Sequence, residues 1–145
     1  MVRRIAWLFS ITGILILAGL TALLFKGDSH IRIPAIAALV TFAAIVISYL
    51  GGIEGGLALR EEGVNERTRA IALSLSALPS LAAWGVLWLP SPQQQLGAAM
   101  AVFVVVWAAD LYHARHGLIP SWFVDLRTAI TAMACVILGV AIYLL

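Results

Sequence analysis

The stretch IAWLFSITGILILAGLTALLF, Ile5–Phe25, runs for 21 residues without a charge. A helix needs about 20 apolar residues to cross about 30 Å of hydrocarbon, so this stretch is long enough to span a membrane. The preceding Met1-Val2-Arg3-Arg4 imitates a secretion signal, but the apolar core of such a signal is only about 7–15 residues long. The expectation is a retained first span. Four more apolar runs follow, at about 33–59, 70–89, 96–112 and 122–145. They lack the ten-residue alternation of barrel strands and are too long for them. The fold class is therefore an all-α integral membrane protein, a single domain of five transmembrane helices.

Composition agrees. Of 145 residues, 63% are hydrophobic and 11% charged, with a mean hydropathy of +1.04. A soluble domain carries about a quarter charged residues, so this chain lacks the polar surface of a water-soluble enzyme or a disordered chain. The net charge of +2 does not imply nucleic acid, because the basic residues lie between apolar runs where topology accounts for them. Cys135 is alone inside an apolar run, which leaves no disulfide framework and no CxxC motif.

The joints carry helix punctuation. Lys26-Gly27-Asp28-Ser29 closes the first run, and Pro34 is read in the first turn of the second, where a missing N–H costs nothing. Pro90-Ser91-Pro92 separates the third and fourth, and Gly117 and Pro120 precede the fifth. Pro79 falls inside the third run and should kink it, with Ser76 or Ser80 available to the freed carbonyl. By joints, Arg3, Arg4, Arg60, Arg67, Arg69, Arg115 and Arg127 share one face, seven against Lys26 and Arg32 on the other. The expected topology has the N-terminus in the cytoplasm and the C-terminus on the opposite side. Glu54, Glu61, Glu62, Glu66, Asp110, Asp125, His113 and His116 then fall toward the inner face, which concentrates the polar chemistry there.

Three constellations stand out. Gly51-Gly52-Ile53-Glu54-Gly55-Gly56 overlays two small-xxx-small pairs, Gly51/Gly55 and Gly52/Gly56, suited to close helix packing. Glu54 is either a protonatable or ligand-anchoring group within the bilayer, or a headgroup-level residue of a span that ends at Ile53. Asp110, His113 and His116 step by three along a helix, but the outer two diverge by about 120°, so no metal site is expected. Gly117 after His113 and Arg115 reads instead as a helix C-terminus. Asp110 opposes the dipole there and needs a cation, for which Arg115 and Arg127 are the candidates. In Pro120-Ser121-Trp122-Phe123-Val124-Asp125-Leu126-Arg127, the aromatics suit a membrane interface and Asp125 a first helical turn. Asp110, Arg115, Trp122 and Arg127 are expected to form an ion pair or an inner-face docking surface.

His30, His113 and His116 are read in or beside joints, so the spans offer no axial ligand for haem or chlorophyll. No HExxH, GxSxG or Walker loop is present. A lipid, quinone or carotenoid remains compatible with grooves left by Gly and Ala, and nothing in the sequence selects among them.

Tyr49-Leu50-Gly51-Gly52-Ile53, Gly56-Leu57-Ala58-Leu59, Asp110, Gly117-Leu118-Ile119-Pro120-Ser121-Trp122-Phe123 and Leu126-Arg127 together resemble a family of small multi-span membrane proteins of unknown function. That family is proteobacterial and includes the transmembrane-protein-69-like proteins of mitochondria. The resemblance covers roughly residues 40–145. Where the family usually has His-Trp or a similar pair, this chain has Glu54-Gly55. The resemblance implies an inner-membrane helical protein without an assigned activity. The expected function is a non-enzymatic accessory or assembly subunit of the bacterial inner membrane. It would pack among lipids and against the subunits of a larger respiratory or photosynthetic complex. Two alternatives compete: a small oligomeric carrier or channel with Glu54 as its proton or cation site and Pro79 as its hinge, and a headgroup-directed enzyme using His113 or His116 as base.

Overall fold

A computed structural model describes residues 1–26, 28–59 and 65–145. Arg60, Glu61 and Glu62, assigned above to the second joint, lie outside the described residues. The described chain is helical, without strands: α1 (Val2–Leu23), α2 (Ser29–Ala58), α3 (Glu66–Leu75), α4 (Leu78–Val86), α5 (Pro92–Arg115) and α6 (Ser121–Leu144). Helices α3 and α4 form one broken span, Glu66–Val86, so five helical segments are long and apolar enough to cross a membrane.

Capping explains why the helices start earlier than hydropathy alone suggests. Asp28 accepts from His30 N at 3.1 Å and opens α2 at Ser29, which puts Pro34 inside the helix rather than in its first turn. Asn65 accepts from Arg67 N to open α3, and Ser91 accepts from Gln94 N ahead of Pro92 to open α5. Gln93, Gln94 and Gln95 therefore belong to α5, and the Gln95 amide caps the end of the preceding span by donating to the Leu87 and Leu89 carbonyls. Other helix ends are closed by arginines from neighbours. Arg69 donates to the Ala58 and Leu59 carbonyls at the end of α2, and Arg32 donates to the Leu144 carbonyl at the end of α6.

The break between α3 and α4 falls at Ser76-Ala77, two residues before Pro79. Pro79 has no N–H for the carbonyl one turn back. Neither serine serves that carbonyl: Ser76 Oγ bonds Leu73 O at 2.7 Å, and Ser80 Oγ meets Ser48 Oγ of α2 at 2.9 Å. The freed carbonyl therefore takes neither Ser76 nor Ser80, contrary to expectation.

Helices α1, α2, α5 and α6 form a ring in which each packs on the next, and the broken span leans on α2 and α5. The core of the ring is apolar, with Leu17 from α1, Leu39 and Ile47 from α2, Phe103 and Val106 from α5, and Ala134 and Leu138 from α6. The buried residues of α5, Leu96, Ala99, Phe103, Val106, Asp110 and His113, alternate steps of three and four, the spacing of a helix with one inward stripe. Helix α1 is the weak member. Its buried residues are only Leu17 and Thr21, so it seals the ring at one end and leaves it open at the other.

Candidate functional site

At the open end the inward stripes of three helices turn polar. Glu54 stands one turn beyond Leu50 on α2, Asp110 one turn beyond Val106 on α5, and Arg127 one turn before Ile130 and Thr131 on α6; all are buried. Measured from the helix ends, Glu54, Asp110 and Arg127 lie about 6, 7.5 and 9 Å inward, so the three share one level.

The α5–α6 turn sets this register. Gly117 takes a positive φ of 78°, and Leu118 N bonds His113 O while Gly117 N bonds Ala114 O, the two bonds of a Schellman closure. Pro120 then opens α6. In such a helical hairpin, residues equally distant from the turn face each other. Arg127 Nε donates to Asp110 Oδ2 at 2.5 Å with both side chains almost wholly buried, and Trp107 Nε1 donates to Thr128 Oγ1 at 2.9 Å beside them. Asp110 thus takes Arg127, not Arg115, as its cation.

Glu54 lies close enough to Asp110 and Arg127 for both charges to act on it. Two carboxylates are both acceptors, however. Glu54 Oε1 and Asp110 Oδ1 are enclosed with no donor among the described residues, and His113 Nε2 likewise has no partner among them. One guanidinium therefore faces two carboxyl groups, and together they are at most neutral when one carboxyl carries a proton. A charge set of this kind is costly to bury and is held by its internal contacts.

The open end is a groove of about 590 Å³ between α1, α2 and α6. Its walls are Phe9 and Gly13 of α1, Phe42 and Val46 of α2, and Ile130 of α6, with buried Phe103 beneath them and, among the described residues, Arg127 as the one charged lining side chain. The Asp110 bond uses only Nε of Arg127. Among the described residues its two terminal nitrogens donate to nothing, although a guanidinium carries five N–H donors. Exposed Phe9 and Tyr49 stand at the rim, so the groove opens sideways from the bundle.

Several expectations are revised by this arrangement. Helix α2 does not end at Ile53; it continues to Ala58 and turns Glu54 into the core, where it does not line the groove. Asp110 and Arg127 are buried, at 1% and 4% exposure, and so present no docking surface. Arg115 is exposed and Trp122 half-buried, in edge contact with Phe123. The glycine pairs separate. A Cβ on Gly51 would lie 2.6 Å from Ser76 O and 3.0 Å from Pro79 Cβ, and one on Gly55 would lie 2.9 Å from Ser76 Oγ. These two form the notch that receives the broken span. Gly52 and Gly56 point the other way, and a Cβ there would meet nothing among the described residues; about 100° of rotation per residue separates the two faces, so they pack against no described helix. Asp125 is exposed at the fifth residue of α6 rather than in its first turn.

His113 is the functional candidate that sequence reading undervalued. It belongs to α5, not to a joint, and is 2% exposed. Its position three residues beyond Asp110, on the stripe that begins at Leu96, is the signal that finds it. His116, by contrast, is exposed and bonds Tyr112 O through Nδ1 at 2.8 Å. Among the described residues no three ligating side chains converge on a metal position.

Fold and site together define a polytopic helical membrane protein with a buried acid–guanidinium cluster behind a lateral apolar groove. The chain belongs to the family described as protein of unknown function (DUF3429), whose pattern matches residues 2–143. No curated protein and no solved structure matches the chain.

Proposed function

We propose that this protein is a non-enzymatic accessory protein of a membrane, and that it holds the tail of an amphipathic membrane molecule in the α1–α2–α6 groove. The observation that carries the reading is an apolar slot with a charged side chain in its wall. About 590 Å³ lined by Phe, Ile, Val and Gly also takes in Arg127, whose terminal nitrogens bond nothing among the described residues. That volume is in the range of a site for one small ligand, and apolar walls with a few convergent polar groups are what such sites share.

The accessory role draws on a second feature. Gly52 and Gly56, between the exposed Tyr49 and Leu59 on the outer face of α2, leave backbone open to a helix of a partner subunit, such as one in a larger respiratory or photosynthetic complex. With Arg127 withdrawn into the core, six of the nine basic residues remain on the face that carries the N-terminus and two on the other. This distribution supports a cytoplasmic N-terminus, and with it an inner-membrane location.

Photo-cross-linking in phosphatidylcholine vesicles tests the groove. The probe is a ten-carbon alcohol carrying a terminal diazirine. Adducts are expected on Phe42, Val46, Phe103 or Ile130, and loss of those adducts is expected in Gly13→Phe. Residue 13 has open space around it, so the variant fills the groove without disturbing the core. Adducts spread evenly over lipid-facing residues, unchanged in Gly13→Phe, would overturn the reading.

A further inference from the structure

The cluster behind Arg127 also bears on what kind of head group the groove accepts. A lone arginine in the wall of an apolar slot would attract a phosphate, because guanidinium pairs with phosphate through two parallel hydrogen bonds. Here the arginine is not alone. Its Nε is already committed to Asp110, and Glu54 adds a second carboxyl next to that pair. With both carboxyls ionised the set carries one net negative charge; with one proton held between them it is neutral. In neither state does it offer the net positive charge that would offset moving a phosphate out of water, a cost of several kcal/mol or more for an ion. A neutral acceptor such as a carbonyl oxygen carries no such penalty, and it still receives the free N–H groups of Arg127 at ordinary hydrogen-bond strength.

The size agrees with the charge. The groove, lined by Phe9 and Gly13 of α1, Val46 of α2 and Ile130 of α6, has a volume of about 590 Å³, the size of a site for one small ligand rather than for both tails of a phospholipid.

We propose, on the reading that the groove holds an amphiphile, that its ligand class is a single-tailed molecule with a neutral, carbonyl-bearing ring, as in a membrane quinone, whose carbonyl oxygen accepts from the terminal nitrogens of Arg127. Glu54 acts as a specificity residue: it lies behind the arginine, does not touch the ligand, and cancels the positive charge that would otherwise recruit anionic lipids.

The test compares three competitors with identical ten-carbon tails against the diazirine probe, with the whole protein in phosphatidylcholine discs. They are a decyl-benzoquinone, decyl phosphate and decane. The expected result is displacement by the quinone at a concentration at least ten-fold below that needed for either of the others. In Glu54→Gln, which keeps the side-chain volume and removes a carboxylate, the preference for quinone over decyl phosphate is expected to fall several-fold, mainly through tighter phosphate binding. Equal displacement by decyl phosphate in the wild type would overturn the neutral-head assignment, as would equal displacement by decane, which would mean that only the tail is held. An unchanged preference in Glu54→Gln would overturn the role given to Glu54. If the probe itself fails to label the groove, it is the amphiphile-binding reading that fails, before any head group is compared. Should Glu54→Gln not fold, Asp110→Asn serves instead; it too removes a carboxylate from beside Arg127 and is expected to lower the quinone preference, and an unchanged preference would overturn the charge-cancelling role.

Discussion

Replacing Arg127 by Met should be the most damaging change to a single side chain in this protein. Among the described residues the guanidinium is the one cation facing two buried carboxyl groups, and its Nε–Oδ2 bond of 2.5 Å joins α5 to α6. Breaking a buried pair by deleting one partner costs about 3–5 kcal/mol, because the remaining charge is left uncompensated. Here two acidic groups are left, so the upper part of that range applies. Asp110→Asn should cost less, about 1.5–3 kcal/mol, the scale of a hydrogen bond to a charged group, since Glu54 remains beside Arg127 as an alternative counterion. The double variant should lose less than the two single losses combined, with a coupling of about 1–3 kcal/mol. Unfolding in mixed dodecyl maltoside and dodecyl sulfate micelles, followed by far-UV circular dichroism, measures all three. A loss below about 1 kcal/mol for Arg127→Met, or strict additivity in the double variant, would refute the claim that this pair is buried and interdependent.

The glycines allow a paired contrast. Gly51→Ala drives a Cβ against a backbone carbonyl and a proline ring, which cannot swing aside, and should destabilise by about 1–3 kcal/mol. Gly52→Ala meets nothing and should be neutral or stabilising by up to about 1 kcal/mol. The same micellar unfolding assay separates them, and equal effects would mean that the broken span does not seat on that face. Gly117→Ala forces an L side chain into a left-handed backbone conformation and should cost about 1–2 kcal/mol. It should also raise proteolytic cleavage at the α5–α6 turn, which mass mapping after limited proteolysis would detect.

Much of this architecture is legible in the amino-acid sequence because hydrocarbon thickness fixes helix length. Runs such as Ile5–Phe25 announce themselves by the absence of charge, and the need of Asp110 for a cation narrows its partner to Arg115 or Arg127. Less legible was where a span ends when its last turns are glycine-rich. Glu54 lies in a stretch that hydropathy alone allows to stop at Ile53, and only the inward stripe shared with Ile47 and Leu50 marks it as buried. His113 was missed for a related reason. Proximity to Gly117 suggested a joint, whereas the stripe from Leu96 through Val106 carries on to it. The groove was not legible at all. It arises because α1 has only Leu17 and Thr21 buried against the ring, and an almost uniformly apolar helix gives no sign of how much of its length makes contact.

The decisive measurement is native mass spectrometry of the protein extracted in polymer discs, wild type beside Gly13→Phe. The wild type is expected to retain one small amphiphile at fixed stoichiometry, with the mass of a neutral quinone-type molecule, and Gly13→Phe to lose it while remaining folded. Identical spectra for the two proteins, carrying only a variable number of bulk phospholipids, would contradict this expectation.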